Sequence, residues 1–426
     1  MRLGVCIFFV LLIGSCSPKR FVHKNLKEIE TTLQDHVGFV LFDPETKRNL
    51  IDFNGSHYFT PASNTKIFTF YTSLKLLGDS ITAIKYIQRN DSIIFWGLGD
   101  PSFLYDNVFQ NQRTFDFLKN IPGKLFFSTS NFQTESLGAG WAWDDYPYSY
   151  SAERSPFPMF GNLVKIKKKD SIVITSPTFF TEHFVKATET HLNEEIVRDL
   201  DSNLLTYYSG KNPAKEWKVP FHYGADLVAD LLTDTLKRQV EVINFSLPKN
   251  ALILKSSPID SLYKVMMEDS DNFIAEQLLL QCAAMVSDTL KPEIAIRYSL
   301  KNLLNDLPDK PQWVDGSGLS RYNLFTPRTV NASWEKIYRL VPRERLFSLL
   351  AIGGKKGTIK NWYRSDPPFI YGKTGTISNN HCLSGFLITK KGKTLIFCWM
   401  NNNYVDSTDE VRRNMEKLLL EIRGRF

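Results

Sequence analysis

Cysteine is scarce and scattered. The five in 426 residues are Cys6, Cys16, Cys282, Cys382 and Cys398, which form no disulfide framework and no Cys/His cluster with zinc spacing. The last three read as buried small hydrophobes or as one incidental pair. Seven dispersed histidines with no His-Glu-x-x-His leave no metal site to expect, and no cofactor is expected either. Long apolar runs are lacking too: residues 3–13 are the exception, and they are too short to span a bilayer. Internal repeats and low-complexity tracts are missing, which excludes solenoids and linker-like chains. Aromatic-basic RNA motifs are also missing. The net charge of +7 includes the run Lys165-Ile166-Lys167-Lys168-Lys169, which reads as one arm of a hairpin turning at Asp170-Ser171, with a solvated face. No nucleic-acid partner is therefore expected, and a mild positive field favours an anionic polymer or a carboxylate substrate.

What is present is material for a large core. At 43% hydrophobic and 13% aromatic content, the chain exceeds one ordinary domain, and two or three are expected. Arg2 followed by the apolar residues 3–13 reads as an export signal covering residues 1–15. The segment Ile13-Gly14-Ser15-Cys16 resembles the lipobox of bacterial lipoproteins. By that resemblance Cys16 is the lipidated first residue of a mature protein tethered to a membrane.

Along the chain, residues 21–33 have amphipathic helical spacing. Residues 37–42 read as a buried strand, Asp43-Pro44-Glu45-Thr46 as a turn and residues 49–53 as its hairpin partner. Pro61-Ala62-Ser63 opens a helix whose apolar positions Ile67, Phe70, Leu74 and Leu77 recur at helical spacing up to Gly78. From 80 to 250 the texture changes to short strand-like segments (92–96, 124–127, 171–175) and aromatic turns, closed by a helix over 222–237. This is expected to be an inserted β-rich region, one domain or two, within a domain made of residues 16–79 and 251–426. Helical patterning returns at 261–285, and strands are expected around 371–376, 383–389 and 394–400 before a helix over 407–422. The fold class is α/β (α+β), an antiparallel sheet flanked by helices with a β-rich insertion.

Three short motifs carry chemistry. Ser63 and Lys66, three residues apart, place a hydroxyl and an amine on one helix face, a nucleophile beside a base. The spacing alone is weak, since Ser246/Lys249, Ser261/Lys264 and Ser333/Lys336 share it. Ser270-Asp271-Asn272 interrupts an apolar helical pattern, which suggests side chains held at a helix start or tight connection. Lys373-Thr374-Gly375-Thr376 lies on an expected strand.

In that order, Ser-x-x-Lys, Ser-Asp-Asn and Lys-Thr-Gly resemble the signature set of penicillin-binding proteins and serine β-lactamases. The separation of 207 positions from Ser63 to Ser270, together with Gly97-Leu98-Gly99-Asp100-Pro101, Trp141-Ala142-Trp143-Asp144-Asp145, Asp315-Gly316-Ser317-Gly318-Leu319-Ser320-Arg321 and Thr326-Pro327-Arg328, sharpens the match. They resemble the D-alanyl-D-alanine carboxypeptidase/endopeptidase family with penicillin-binding-protein-4-like architecture (peptidase family S13). The resemblance implies a β-lactamase/transpeptidase-like domain, peptidoglycan stem peptides as substrates and β-lactam antibiotics as covalent inhibitors. It makes Ser63 the nucleophile, Lys66 the base, Ser270 a proton relay and Asn272 a holder of Lys66 and the substrate amide. Lys373, Thr374 and Thr376 would bind the terminal carboxylate, with Gly375 leaving room for the substrate backbone. The N–H groups of Ser63 and Thr376 would form the oxyanion hole. Lys373 would also help depress the Lys66 amine by about three units, as a base near neutrality requires. Asp145, Tyr150 and Arg321 resemble a pocket for the zwitterionic end of diaminopimelate, against structural salt bridges and aromatic packing as the plainer reading.

Two other functions share these motifs. A class A-type serine β-lactamase needs a glutamate in an Asn-bearing loop downstream of Ser-Asp-Asn, and neither Glu276 nor Glu293 sits in that pattern. A non-catalytic lipoprotein that binds β-lactams or peptidoglycan would keep the fold without turnover.

Overall fold

The computed structural model describes residues 17–108, 112–169 and 172–426; the expected export signal, Cys16 and the expected turn at Asp170-Ser171 lie outside them. The frame is a six-stranded antiparallel sheet in the order Ala351–Ile352, Ile370–Ile377, Asn380–Ile388, Thr394–Asn402, His36–Asp43, Arg48–Phe53. Asn380–Ile388 and Thr394–Asn402 are apolar on both faces because both are covered. Helices Pro18–Leu33 and Thr408–Arg425 cover one face, packing Val22, Leu26, Val411, Met415 and Ile422 against Phe39, Leu41 and Trp399. On the other face lie Lys66–Leu76, Ile259–Glu268, Asn272–Ser287 and Pro327–Leu340, with Phe68, Phe70, Leu278, Trp334 and Ile337 in their core. Each large side chain buried there contributes about 1.5–3 kcal/mol.

The apolar stretch expected as one interrupted helix over 261–285 is two helices, Ile259–Glu268 and Asn272–Ser287. The break has a local cause: Ser270 is left-handed (φ 67°), and the Asp271 side chain caps the second helix by accepting from Ile274 N at 2.9 Å. Helices Pro292–Asn302 and Pro327–Leu340 were not anticipated, although each begins with proline in its first turn and Thr326 caps the second.

Residues 80–258 form their own core around Phe95, Phe127, Phe157, Ile166, Phe180 and Leu231. A mixed five-stranded sheet runs Val240–Val242, Lys124–Phe127, Ser92–Gly97, Ser80–Arg89, Leu252–Pro258, and two three-stranded sheets stand beyond it. The boundary expected at residue 250 falls one strand early, since Leu252–Pro258 pairs antiparallel with Ser80–Arg89. The chain leaves and re-enters the helical part at adjacent points, where Ile259 N donates to Asp79 O at 3.0 Å.

Cys282, Cys382 and Cys398 are buried and free, so the expected alternative of a pair is replaced by three separate apolar-like side chains. Among the described residues no helix is long and apolar enough to cross a membrane.

Candidate active site

The nucleophile candidate stands on a single 3-10 turn, Ala62–Thr65, which passes into the α-helix Lys66–Leu76. Ser63 was expected to cap or start a helix, but no side-chain capping bond forms at this turn. Its hydroxyl instead faces the cleft, half-buried, while Lys66 one turn later is fully buried. Ala62 holds a left-handed φ of 46°, a strained setting that the surroundings enforce. Gly318 presses on it so closely that a Cβ there would lie 1.9 Å from Ala62 O.

Lys66 Nζ has three oxygen partners: Ser63 Oγ at 2.9 Å, Asn272 Oδ1 at 2.6 Å and the Ser317 carbonyl at 2.7 Å. Burial pushes its amine down to about 8, against the opposing pull of the Asp315, Glu276 and Asp271 carboxylates. Lys373, expected to help depress it, does not account for this shift. Burial and the Lys66 charge hold Lys373 well below the ordinary lysine range. Of two neighbouring amines, the one that loses its proton first is neutral while the other titrates, and so does not repel it.

Lys373 Nζ donates to Ser270 Oγ at 2.7 Å and to its neighbour's carbonyl, Thr374 O, at 2.7 Å. Ser63, Lys66 and Asn272 thus form one hydrogen-bonded group and Ser270 with Lys373 a second, drawn from a turn, a helix, a loop and a strand. Asn272 Nδ2 also donates to the Tyr150 carbonyl at 2.9 Å, tying residues 80–258 to the first group.

The cleft in front of Ser63, about 610 Å³, is lined by Ser270, Asn272, Gly318, Arg321 and Thr376, and by Asp144, Asp145 and Tyr150 across from them. Asp145, Tyr150 and Arg321 line the same cleft, with Tyr150 OH donating to Asp145 Oδ1 at 2.7 Å. Arg321 is exposed, with its backbone N donating to Gly140 O at 3.4 Å and its guanidinium reaching Ser378 O at a long 3.5 Å. Asp144 is a second cleft carboxylate that had not been singled out.

The two threonines expected at the carboxylate part ways. Thr374 is buried and donates to Thr358 Oγ1 at 2.7 Å, away from the cleft lining, whereas Thr376 lines the cleft and meets His381 Nδ1 at 2.8 Å. Burial holds that imidazole neutral, down at about 3. Gly375 serves a packing need. A Cβ there would lie 2.5 Å from Pro61 O and 2.9 Å from Ser63 N, so only glycine lets the strand approach the serine turn.

Glu276, weighed above as a hydrolytic glutamate, is committed elsewhere. Its Oε2 takes both Nε and Nη2 of Arg154 and its Oε1 takes Ser317 N, with the carboxylate wholly buried. Glu293 is exposed at the start of its helix. A carboxylate inside an apolar helix, where charge is rarely buried unpaired, is the sequence signal that could have marked Glu276 as paired. Among the described residues no three His, Cys, Asp or Glu side chains gather as metal ligands.

A buried lysine bonded to a cleft serine, with a second serine–lysine pair beside it and an antiparallel sheet edge along the cleft, defines a serine acyl-transfer enzyme of the penicillin-binding-protein and β-lactamase fold class. Comparison makes this specific: the chain matches the D-Ala-D-Ala carboxypeptidase 3 (S13) family over residues 21–422, and it belongs to that family. It is 24% identical to the D-alanyl-D-alanine carboxypeptidase DacB of Haemophilus influenzae over 92% of this chain and 91% of the relative. The crystal structure of penicillin binding protein 4 (dacB) from the same organism superposes with a TM-score of 0.72 at 20% identity, covering 93% of this chain and 98% of that one. That protein has also been solved complexed with a β-lactam. A predatory peptidoglycan endopeptidase from Bdellovibrio bacteriovorus shares the fold at TM-score 0.53 and 14% identity, covering 91% of this chain and 93% of that one.

Proposed function

We infer that this protein is a serine D,D-peptidase that cleaves peptides ending in D-Ala-D-Ala, the D-Ala–diaminopimelate cross-links of peptidoglycan, or both, through an acyl-enzyme on Ser63. One observation carries the reading. A neutral lysine amine has two N–H groups and one lone pair, and two of the three partners of Lys66 Nζ, Asn272 Oδ1 and Ser317 O, can only accept. The lone pair is left for the third, the Ser63 hydroxyl at 2.9 Å. An amine with its acidity near neutrality, aimed at the nucleophile's proton, is a general base.

Ser63 Oγ attacks the carbonyl of the penultimate D-alanine while Lys66 takes its proton. Ser270, linked to Lys373, relays a proton to the departing amine. Backbone N–H groups of Ser63 and Thr376 receive the oxyanion, each donor contributing on the order of 3 kcal/mol to the transition state. The substrate's terminal carboxylate, arriving beside Lys373 and Thr376, pairs with the Lys373 ammonium. Water then hydrolyses the ester.

Asp145 and Arg321 are a carboxylate and a guanidinium on one cleft, fit for the ammonium and carboxylate of a zwitterionic side chain on the third stem residue, with Tyr150 orienting Asp145. Cys16, outside the described residues, is the lipid attachment point of an exported, cell-wall-facing lipoprotein. Release from the membrane fraction in Cys16→Ser would test that part.

Intact mass after penicillin exposure tests the whole: a stoichiometric adduct is expected, absent in Ser63→Ala. Product analysis on a pentapeptide monomer beside a cross-linked dimer assigns the bond cut. An adduct that persists in Ser63→Ala overturns the nucleophile, and rapid drug turnover without D-alanine release would make the protein a β-lactamase.

A further inference from the structure

Arg154, on the segment after the turn Ser149–Ser151, reaches out of the inserted region into the heart of the site. Its Nε and Nη2 donate to Glu276 Oε2 at 2.9 and 2.7 Å, in an ion pair with side chains only 5% and 0% exposed. Glu276 Oε1 accepts from Ser317 N at 2.7 Å, and the carbonyl of the same Ser317 accepts from Lys66 Nζ at 2.7 Å. A second line runs parallel to the first. The Arg154 guanidinium lies over the Trp141 ring, 5.2 Å from its centroid, and Trp141 Nε1 donates to Asp315 Oδ2 at 2.9 Å. Asp315 receives Gly318 N, Asn323 Nδ2 and Ser320 N as well, so it clamps the loop that carries Ser317.

The charges around Lys66 are few and can be named. Glu276 and Asp271 face it from the helix Asn272–Ser287 and its cap, Asp315 from the Gly-Ser-Gly loop and Lys373 from the strand, with Asp269 acting on Lys373. Asp271 is already engaged by Tyr105 OH and by its capping bond. Glu276 has one ionic partner of full charge, Arg154. A buried carboxylate without that partner would draw its compensation from the nearest cation available, the Lys66 ammonium.

We propose that Arg154 is a positioning residue for Lys66: by pairing with Glu276 it holds the Ser317 carbonyl on the Lys66 amine and keeps the Glu276 charge from locking that amine in its protonated form. The inserted region thereby becomes a working part of the catalytic machinery rather than an appendage. The catalytic consequence rests on the reading of Lys66 as general base; the charge relation does not, and the test separates them.

The full mature chain is labelled with lysine carrying 13C at Cε, and the Lys66 signal is assigned with Lys66→Met. Arg154→Gln is expected to raise the Lys66 titration midpoint by about one unit, Arg154→Lys to leave it nearly in place, and Arg154→Gln/Glu276→Gln to return it. Glu276→Gln alone moves it the other way, which keeps the inference falsifiable if Arg154→Gln does not fold. The acid limb of penicillin acylation should shift with the midpoint, slowing the reaction about tenfold at pH 7 and sparing it at high pH. A merely structural role would lower the rate at every pH without moving the limb. An unmoved midpoint in Arg154→Gln, or in Glu276→Gln, overturns the proposal. Absence of any penicillin adduct in the parent protein would instead overturn the general-base reading and leave the midpoints to decide this one.

Discussion

Asn272 Oδ1 is the nearest of the three oxygens around Lys66 Nζ, at 2.6 Å, and the other end of the same amide donates to the Tyr150 carbonyl at 2.9 Å. One side chain therefore orients the base and anchors the opposite wall of the cleft. Asn272→Asp would keep the shape and add a carboxylate beside the amine, an opposite charge that favours the ammonium. The acid limb of acylation should move about one unit toward alkaline pH, read from penicillin adduct formation at a series of pH values. An unmoved limb would show that Asn272 does not face the base.

The Lys66 amine, pushed down to about 8 by burial, is protonated below that pH and neutral above it. Since the neutral form takes the Ser63 proton, acylation should rise with pH through about 8, and at pH 6 it should be about 100-fold below its plateau. Lys66→Arg keeps a permanent charge and cannot act as a base, so it should lose about 10²–10⁴-fold at every pH. Stability has its own sign. Between about 8 and 10.5 the unfolded chain binds more protons at this site than the folded one, so this group makes the fold more stable as pH rises through that window. Chemical denaturation at pH 8 and pH 10 compares the parent with Lys66→Met, in which this dependence should vanish.

Gly375→Ala should damage both fold and function. The new methyl would meet Pro61 O and Ser63 N, backbone atoms that can yield only by moving the serine turn. About 1–3 kcal/mol of destabilisation is expected from overpacking, with acylation lowered about 10²-fold by a shift of the nucleophile. Thermal melts and adduct kinetics on the same preparation measure the two effects. A variant acylated at the parental rate would mean that the strand does not set the position of Ser63.

Cys282, Cys382 and Cys398 should be inert in the native protein. Burial pushes the Cys282 thiol up to about 12 and holds the Cys382 and Cys398 thiols well above their ordinary range, so almost no thiolate exists at neutral pH. Mass mapping after alkylation should find these three unmodified in the folded chain and fully modified in denaturant. Reaction of any of them at native pH would indicate local opening of the sheet or of the helix Asn272–Ser287.

Much of the fold was readable because its signals are local. The strand pair around Asp43-Pro44-Glu45-Thr46, the strand Lys124–Phe127 and the final helix Thr408–Arg425 follow from alternation, turn residues and helical spacing that nearby residues set by themselves. The helix Pro327–Leu340 went unread although Thr326 and Pro327 mark its start. The strand Leu252–Pro258 was assigned to the wrong part, because a strand's partner is chosen by long-range pairing that its own sequence does not encode.

The same division holds at the site. By itself the sequence determined the order and identity of the reactive groups: Ser63 with Lys66, then Ser270 with Asn272, then Lys373 and Thr376, since each motif is a few neighbouring residues with a definite chemistry. The Ser-x-x-Lys spacing alone did not distinguish Ser63 from three serines with the same spacing to a lysine; the order of the motifs behind it did. Tertiary structure supplies the physical reason. Ser261 Oγ bonds back to Pro258 O, Ser333 Oγ to Thr329 O, and Lys336 reaches outward to Asp306, so those pairs are spent on local bonds and solvent-side charge. Only folding buries Lys66, seats the Ser317 and Asn272 oxygens around its amine and brings Arg154 in to face Glu276. An amine's acidity depends on every charge and dipole within a few ångströms, and those neighbours come from parts of the chain up to 251 residues away.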